Sequence, residues 1–353
     1  PVRDFNECAD VLLQALRRFH PNVLATIRGA DLLWERAAEL KIAPQGGCSA
    51  NQSCRLMPTQ DGYIAVNLAR PEDWTLLPAW LEADVTSWSQ LSAQVAQRSS
   101  ALLLERGRLM GLAVATPNEA TASDAVDALS DLNANSATSP LVVDMSALWA
   151  GPLCSHLLQR CGFQVIKVES VQRPDGAREG SPKHFHALHE GKECRRFDFR
   201  DPTDLCRLRA LLASADVVIE GSRPRALRAL ALDRESVVTA AGSVAAASQL
   251  WLSLTAYGRG SPFGDWVGFG DDVAIAAGAF DPTQADAPAF IADAIADPLT
   301  GLLVAWLTLE LRRRRMSGLM DFSLFRAANF CVKWVQDSGG ALASPIRQPT
   351  LRC

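Results

Sequence analysis

The sequence predicts an α/β protein, with a Rossmann-like parallel sheet in a large domain and a smaller α+β domain ahead of it. Three observations carry this. From Leu141 onward, short apolar runs of strand length alternate with segments of helical spacing. Before about residue 116 the pattern is of helices around a single hairpin, and between the two parts lies a polar, Ala/Ser/Asn-rich stretch. A chain of 353 residues also exceeds what one hydrophobic core usually serves. The expected division is a small domain with N-terminal helices at 1–116, a linker at 117–140 and the large domain at 141–353.

Taken in order, Val11, Leu12 and Leu16, then Ala30, Leu33 and Ala37, recur at helical intervals and predict two or three helices within residues 4–40. Residues 55–68 predict a hairpin, because the strand-like runs at 55–57 and 63–68 flank the turn-forming pair Asp61-Gly62. Helical spacing resumes over residues 74–112. In the large domain the strands are expected at 141–145, 164–169, 195–199, 216–220 and 250–255, with helices between most of them. Such alternation favours a parallel sheet covered on both faces, with ligands bound outside the carboxyl ends of its strands.

Composition narrows the function. A formal net charge of -4 supplies no field for gathering nucleic acid or an anionic membrane. The nine cysteines are scattered and odd in number, so reduced thiols are expected rather than a disulfide framework. Cys48 and Cys54 lack the spacing of a zinc or redox pair, so no metal is expected. There is no basic start followed by an apolar run and no apolar stretch near the roughly 20 residues a membrane span needs, which leads to the expectation of a cytoplasmic protein. The first strand-to-helix turn, Asp144-Met145-Ser146-Ala147-Leu148-Trp149-Ala150-Gly151-Pro152, lacks the G-x-G-x-x-G fingerprint, and no P-loop occurs. Dinucleotide binding in the usual manner and nucleotide hydrolysis therefore have no support.

Several short motifs stand in a characteristic order: Val142-Val143-Asp144-Met145-Ser146 and Ala150-Gly151-Pro152; Val165-Ile166-Lys167-Val168-Glu169; Gly191-Lys192 with Phe197-Asp198-Phe199; Asp216-Val217-Val218-Ile219-Glu220 and Arg223-Pro224; Ser253-Leu254-Thr255 with Tyr257-Gly258; Asp297 four residues before Gly301; and Met320-Asp321-Phe322-Ser323-Leu324. Over residues 141–328 the chain resembles the family III CoA-transferases, the group that includes formyl-CoA transferase, carnitine CoA-transferase and α-methylacyl-CoA racemase. Residues 27–115 are more weakly similar to the small domain that follows the large one in ordinary members. Here it precedes, as in a permuted chain or the product of a tandem fusion.

The resemblance implies a CoA-transferase moving CoA between an acyl-CoA thioester and a carboxylic acid, with Asp297 as nucleophile, through an aspartyl-CoA intermediate. It implies CoA as substrate rather than a permanently bound cofactor, and a homodimer. Gly191, Lys192, Arg223, Arg225 and Trp149 are the expected CoA-contacting positions. Trp149 replaces an active-site glutamine of formyl-CoA transferase-like members, His189 an asparagine before Gly191-Lys192, and Gly221 an asparagine after Glu220. Against the catalytic role, Asp297 followed by Pro298 is also what any capped helix start shows, and Asp293 is a fallback carboxylate. Arg223, Arg225 and Arg228 are equally well read as a solvated face.

Two other readings stay open: racemisation or isomerisation on the same scaffold, and a non-catalytic CoA-binding subunit. Counting from Tyr257 places Phe269 where family racemases carry histidine, and phenylalanine exchanges no proton. The adjacent Asp271 and Asp272 offer a substitute base for racemisation, with exposed loop acids the commoner explanation of such a pair. His184, His186 and His189 are expected in an exposed loop, Arg312 to Arg315 to complement a helix C-terminus, and the tryptophans at 74, 80, 251 and 266 to pack in the core or an interface.

Overall fold

The computed structural model describes residues 2–22, 25–119, 129–131, 139–281 and 287–338. The N-terminal part comprises helices α1 (Val2–Arg17) and α2 (Gly29–Leu40), strands β1 (Cys54–Pro58) and β2 (Tyr63–Asn67), helices α3 (Asp73–Leu81), α4 (Trp88–Val95) and α5 (Ser100–Leu109), and strand β3 (Ala113–Ala115). The expected hairpin is present: β1 and β2 pair antiparallel, and β3 joins β2 to complete a three-stranded sheet. Most of the expected linker, residues 120–128 and 132–138, lies outside the described residues, and 129–131 form strand β4 (Leu129–Asp131).

The C-terminal part runs β5 (Leu141–Asp144), α6 (Ala150–Arg160), β6 (Gln164–Ser170), α7 (Ala177–Gly180), α8 (Pro182–His189), β7 (Glu193–Phe197), α9 (Pro202–Ser214), β8 (Val217–Glu220), α10 (Pro224–Ala229), α11 (Arg234–Ala241), α12 (Val244–Ala247), β9 (Leu250–Thr255), α13 (Gly270–Ala277), α14 (Ala296–Arg313), β10 (Met316–Ser323) and α15 (Leu324–Ser338). The sheet order is β4-β10-β9-β8-β5-β6-β7, six strands being parallel and β4 antiparallel at the edge. The α/β class is therefore the observed one. The strand expected at 195–199 begins two residues earlier, at Glu193, because its register is set by pairing with β6 rather than by its own apolar residues.

Alternation along the strands distributes side chains to two cores. Val142, Val217, Ile219, Leu250, Leu252 and Leu254 point to one face, into the cluster built by α1, α6, α13, α14 and α15. Val143, Val218 and Trp251 point to the other, against Leu208, Leu212, Leu227 and Val237 of α9, α10 and α11. Helix ends follow local chemistry: the Asp201 side chain accepts from Thr203 N–H ahead of Pro202, and Asp233 caps α11 through Ser236 N–H.

Helices α1 and α2, which the sequence groups with the small unit, pack instead on the large one. Leu12, Leu16 and Leu33 share the cluster of Leu302, Val304 and Cys331. The small sheet has its own core of Ile64, Val66, Leu77, Trp80, Leu91 and Val114 on one face. Its other face, Cys54, Leu56, Ala65 and Ala115, turns toward α13.

Candidate active site

Strand order places a crevice. The chain moves from β5 outward to β6 and β7, then returns to β8 on the opposite side of β5, so the loops leaving β5 and β8 diverge. Ligands of open α/β sheets bind at such a switch point. The loop after β5 leads through Trp149 into α6, and two glycines allow the elements there to close up. A Cβ at Gly151 would clash with the Ser146 side chain. One at Gly301 would lie 2.8 Å from the Ala150 carbonyl oxygen and 2.9 Å from Leu153 Cβ. The first turns of α14 thus cross the head of α6, bringing Asp297 into the neighbourhood of Trp149.

Asp297 lies in the first turn of α14, followed by Pro298, and the Gly270 N–H at the head of α13 donates to its carboxylate. Asp271, Asp272 and Asp293 are buried beside it, whereas Asp297 keeps part of its surface open. Burial pushes the Asp297 carboxyl up to about 7; the Arg36 guanidinium opposes the rise and Asp293 adds to it. The expectation that Asp271 and Asp272 are exposed loop acids is overturned. They form the first turn of α13 and are 3% and 0% exposed, because the small sheet and the 293–297 segment cover them. Asp271 Oδ1 accepts from Ala294 N–H at 2.9 Å, and burial, then Asp293, pushes it up to about 8. Asp272 Oδ1 accepts from Asn67 Nδ2 at 2.8 Å and from Phe269 N–H at 3.0 Å, and burial pushes it up to about 7.

Arg36 of α2 completes the cluster and was not among the residues singled out from sequence. Its Nε donates to Asp293 Oδ2 at 2.7 Å and its NH2 to Asp293 Oδ1 at 2.5 Å. The guanidinium carbon lies 4.9 Å from the Trp149 ring centroid. Trp149 meets His184 edge to face at 4.9 Å, and His184 Nδ1 stands 3.5 Å from Glu35 Oε1. Burial pushes Glu35 up to about 7 and His184 down to about 4. His184 and His189 are thus buried on helix α8 rather than exposed on a loop, since α8 packs beneath α6 and α2.

The expected CoA-contacting residues fall in three places. Trp149 is 1% exposed at the head of α6, and its Nε1 is buried without a partner. Arg223 immediately precedes α10, with Arg70, Arg173 and Arg225 near enough to bear on its charge, and exposed Arg225 pairs with Asp265 at 3.5 Å. Lys192 and Gly191 lie behind α6. The Lys192 ammonium is buried, donating to Pro152 O at 2.9 Å and Ser155 Oγ at 2.7 Å, 3.8 Å from Asp144 Oδ2. Burial pushes it down to about 8, and its contacts are all to this internal network. Gly191 adopts φ +78° as the chain leaves α8, a conformation that suits glycine.

At the far side of the crevice Arg259 holds the Tyr257-Gly258 loop to the strand ends: its NH1 donates to Glu220 Oε1 at 2.8 Å and Ser253 Oγ at 2.9 Å, and its N–H to Asp321 Oδ2 at 2.8 Å. Arg313 and Arg314 pair with Glu310, and Arg312 with Asp216 at 3.8 Å. Trp80 and Trp251 are core residues, and Trp74 packs edge to face on Trp88. Among the described residues, no group of three or more His, Cys, Asp or Glu is arranged to hold a metal ion, and no helix is long and apolar enough to cross a membrane.

A stretch of 141 residues is 28% identical to the succinate–glutarate CoA-transferase of Agrobacterium fabrum, covering 36% of this chain and 34% of that one. Another, of 142 residues, is 27% identical to the succinyl-CoA:glutarate CoA-transferase of Homo sapiens, covering 38% and 31%. The chain thus spans about a third of the length of these curated relatives. Among solved structures, a CAIB/BAIF family protein from Brucella suis is 28% identical with a TM-score of 0.49, covering 59% of this chain and 58% of that chain. Residues 140–336, more than half of the sequence, match the profile of CoA-transferase family III, and the chain belongs to that family.

Proposed function

We propose that the protein is a CoA-transferase in which Asp297 is the nucleophile. The observation that carries the reading is the Asp297 carboxylate itself: it stands in the first turn of α14, accepts from the Gly270 amide, faces Arg36, and alone of four neighbouring carboxylates retains open surface. Its oxygen attacks the thioester carbonyl and CoA thiolate leaves, forming a mixed anhydride. The thiolate then attacks the aspartyl carbonyl, releasing the donor acid and forming aspartyl-CoA. The acceptor carboxylate attacks that thioester, and the thiolate returns to the new acyl group, regenerating Asp297. No proton is gained or lost across the cycle, so what the site must supply is an ionised carboxylate and donors for each tetrahedral oxyanion. The unpartnered Trp149 Nε1–H is the donor we assign to the acyl oxygen.

In this reading Arg223 and Arg225 meet the CoA phosphates beyond β8. Lys192 and Gly191 act indirectly, by fixing the head of α6. The names of the matched relatives make succinyl and glutaryl thioesters the first donors to try, and a homodimer is the expected assembly.

The reading is tested by intact-protein mass spectrometry of wild type and Asp297→Ala after incubation with a panel of acyl-CoA thioesters, trapping with hydroxylamine. The expected result is an adduct on Asp297, absent from the variant. Acyl-CoA binding without an adduct for any donor would overturn it. A second reading, racemisation, draws on Asp271 and Asp272, whose carboxyls burial pushes up to about 8 and about 7, as acid partners to Asp297; deuterium entering the α-carbon from solvent distinguishes it.

A further inference from the structure

Arg36 lies more than a hundred positions ahead of the segment that matches the family, residues 140–336, yet α2 delivers it to the nucleophile. Two parallel hydrogen bonds fix the guanidinium to Asp293, which is 0% exposed, and the Trp149 ring covers one of its faces. The charges that bear on Asp297 come from three elements. Arg36 approaches from α2, Asp293 from the segment ahead of α14, and Asp272, with Asp271 beside it, from the head of α13, where the Gly270 amide also points at the carboxylate. Among these groups Arg36 is the cation. Glu35 and His184, next to it, lie on its far flank toward α8.

We propose that Arg36 is a positioning residue of the reaction: clamped by Asp293 and seated on Trp149, it holds the Asp297 carboxylate as the attacking anion. The proposal rests on Asp297 being the nucleophile. A carboxylate crowded by three other buried carboxyl groups takes up a proton readily, and a protonated acid does not attack a thioester. A guanidinium fixed nearby favours the ionised form. Lysine is a poor substitute, because a single ammonium on a flexible stem loses both the paired bonds and the seat on the ring.

The test compares Asp293→Asn with the double variant Arg36→Gln/Asp293→Asn, since removing both partners strands no buried charge and favours folding. Two quantities are read. One is the pH profile of adduct formation on Asp297; the other is the titration of the Asp297 carboxyl by NMR on protein labelled with carbon-13 at the aspartate side chains, the signal being assigned by its loss in Asp297→Asn. Loss of Arg36 is expected to move both the acid limb and the carboxyl titration upward by about one pH unit. That makes adduct formation about 10-fold slower below the limb and equal to the reference well above it. Reintroducing charge as Arg36→Lys in the otherwise unchanged protein is expected to give partial recovery. A uniform loss at every pH with an unmoved titration would overturn the inference and leave Arg36 a packing residue. If no adduct forms in any protein yet the titration moves, the transferase reading fails while the hold of Arg36 on the Asp297 charge stands.

Discussion

Asn67 at the end of β2 and Asp272 in the first turn of α13 share a hydrogen bond of 2.8 Å across 205 positions of sequence. Both are essentially buried, and the second carboxyl oxygen of Asp272 has no partner. This contact pins the small antiparallel sheet to the helix whose head supports Asp297. Asn67→Leu removes the donor and leaves a buried acid with one fewer partner, which is expected to cost about 1–3 kcal/mol in urea unfolding. Adduct formation on Asp297 should fall as well, because the Gly270 amide belongs to the same turn. Unchanged stability would mean that apolar contact alone docks the sheet.

Gly301→Ala addresses the crossing of α6 and α14. The added methyl would meet the Ala150 carbonyl and Leu153 Cβ at 2.8 and 2.9 Å, both on a packed helix with little room to give. Overpacking of this kind costs roughly 1–3 kcal/mol. The thermal midpoint should fall, and activity should drop more than the residual folded fraction explains, since the shift separates Asp297 from Trp149.

Lys192→Met separates a structural from a ligand-binding role for that lysine. The substitution leaves buried Asp144 with the Ser146 and Ser155 donors but with Lys167 as its remaining cation, and is expected to destabilise by about 3–5 kcal/mol. CoA affinity of the protein that remains folded should be unchanged when measured by calorimetry. A large loss of affinity at unchanged stability would return Lys192 to the phosphates.

Stability should fall as pH rises from about 6.5 to 8. Asp271 is pushed up to about 8, and Asp272, Asp297, Glu220 and Glu35 to about 7, each chiefly by burial. The folded state therefore keeps protons that the unfolded chain has already released, and the stability linked to them disappears as these groups ionise. Below 6.5 the buried His156 and His184, pushed down to about 4, and His189, pushed down to about 3, work in the opposite sense. Above 8, Lys192 does so too. Between those limits the carboxyls dominate, and unfolding free energies extrapolated from urea titrations at pH 6.5 and 8 should differ by an amount on the order of a few kcal/mol.

The large sheet was readable because most of its parallel strands carry their own apolar run; β5, β6 and β9 lie within a residue of where those runs put them, whereas β7, exposed at four of its five positions, owes its start to pairing with β6. The spacing to Gly301 singles out Asp297, and the structure sets that residue in the first turn of α14. Asp271 and Asp272 were misjudged because burial of two adjacent acids depends on Asn67 and Ala294, which are distant in sequence or supply only backbone. Arg36 left one unused signal. It stands four residues after Leu32 and three after Leu33, on the buried side of α2, where a charge requires a partner. Nothing local says that the partner is Asp293, 257 positions away.

That separation has a consequence for biogenesis. The two-pronged pair between Arg36 and Asp293 joins an early helix to a late segment, and the Asn67–Asp272 contact repeats the arrangement. During synthesis α1, α2 and the small sheet emerge long before α13 and α14 exist to cover them, leaving Leu12, Leu16 and Leu33 without their partners. Contacts of such long range close slowly, and exposed apolar helices are sticky while they wait. Chaperone dependence of the nascent chain should therefore track the interval between the appearance of α2 and that of α14, since Asp297 meets Arg36 only once both are present.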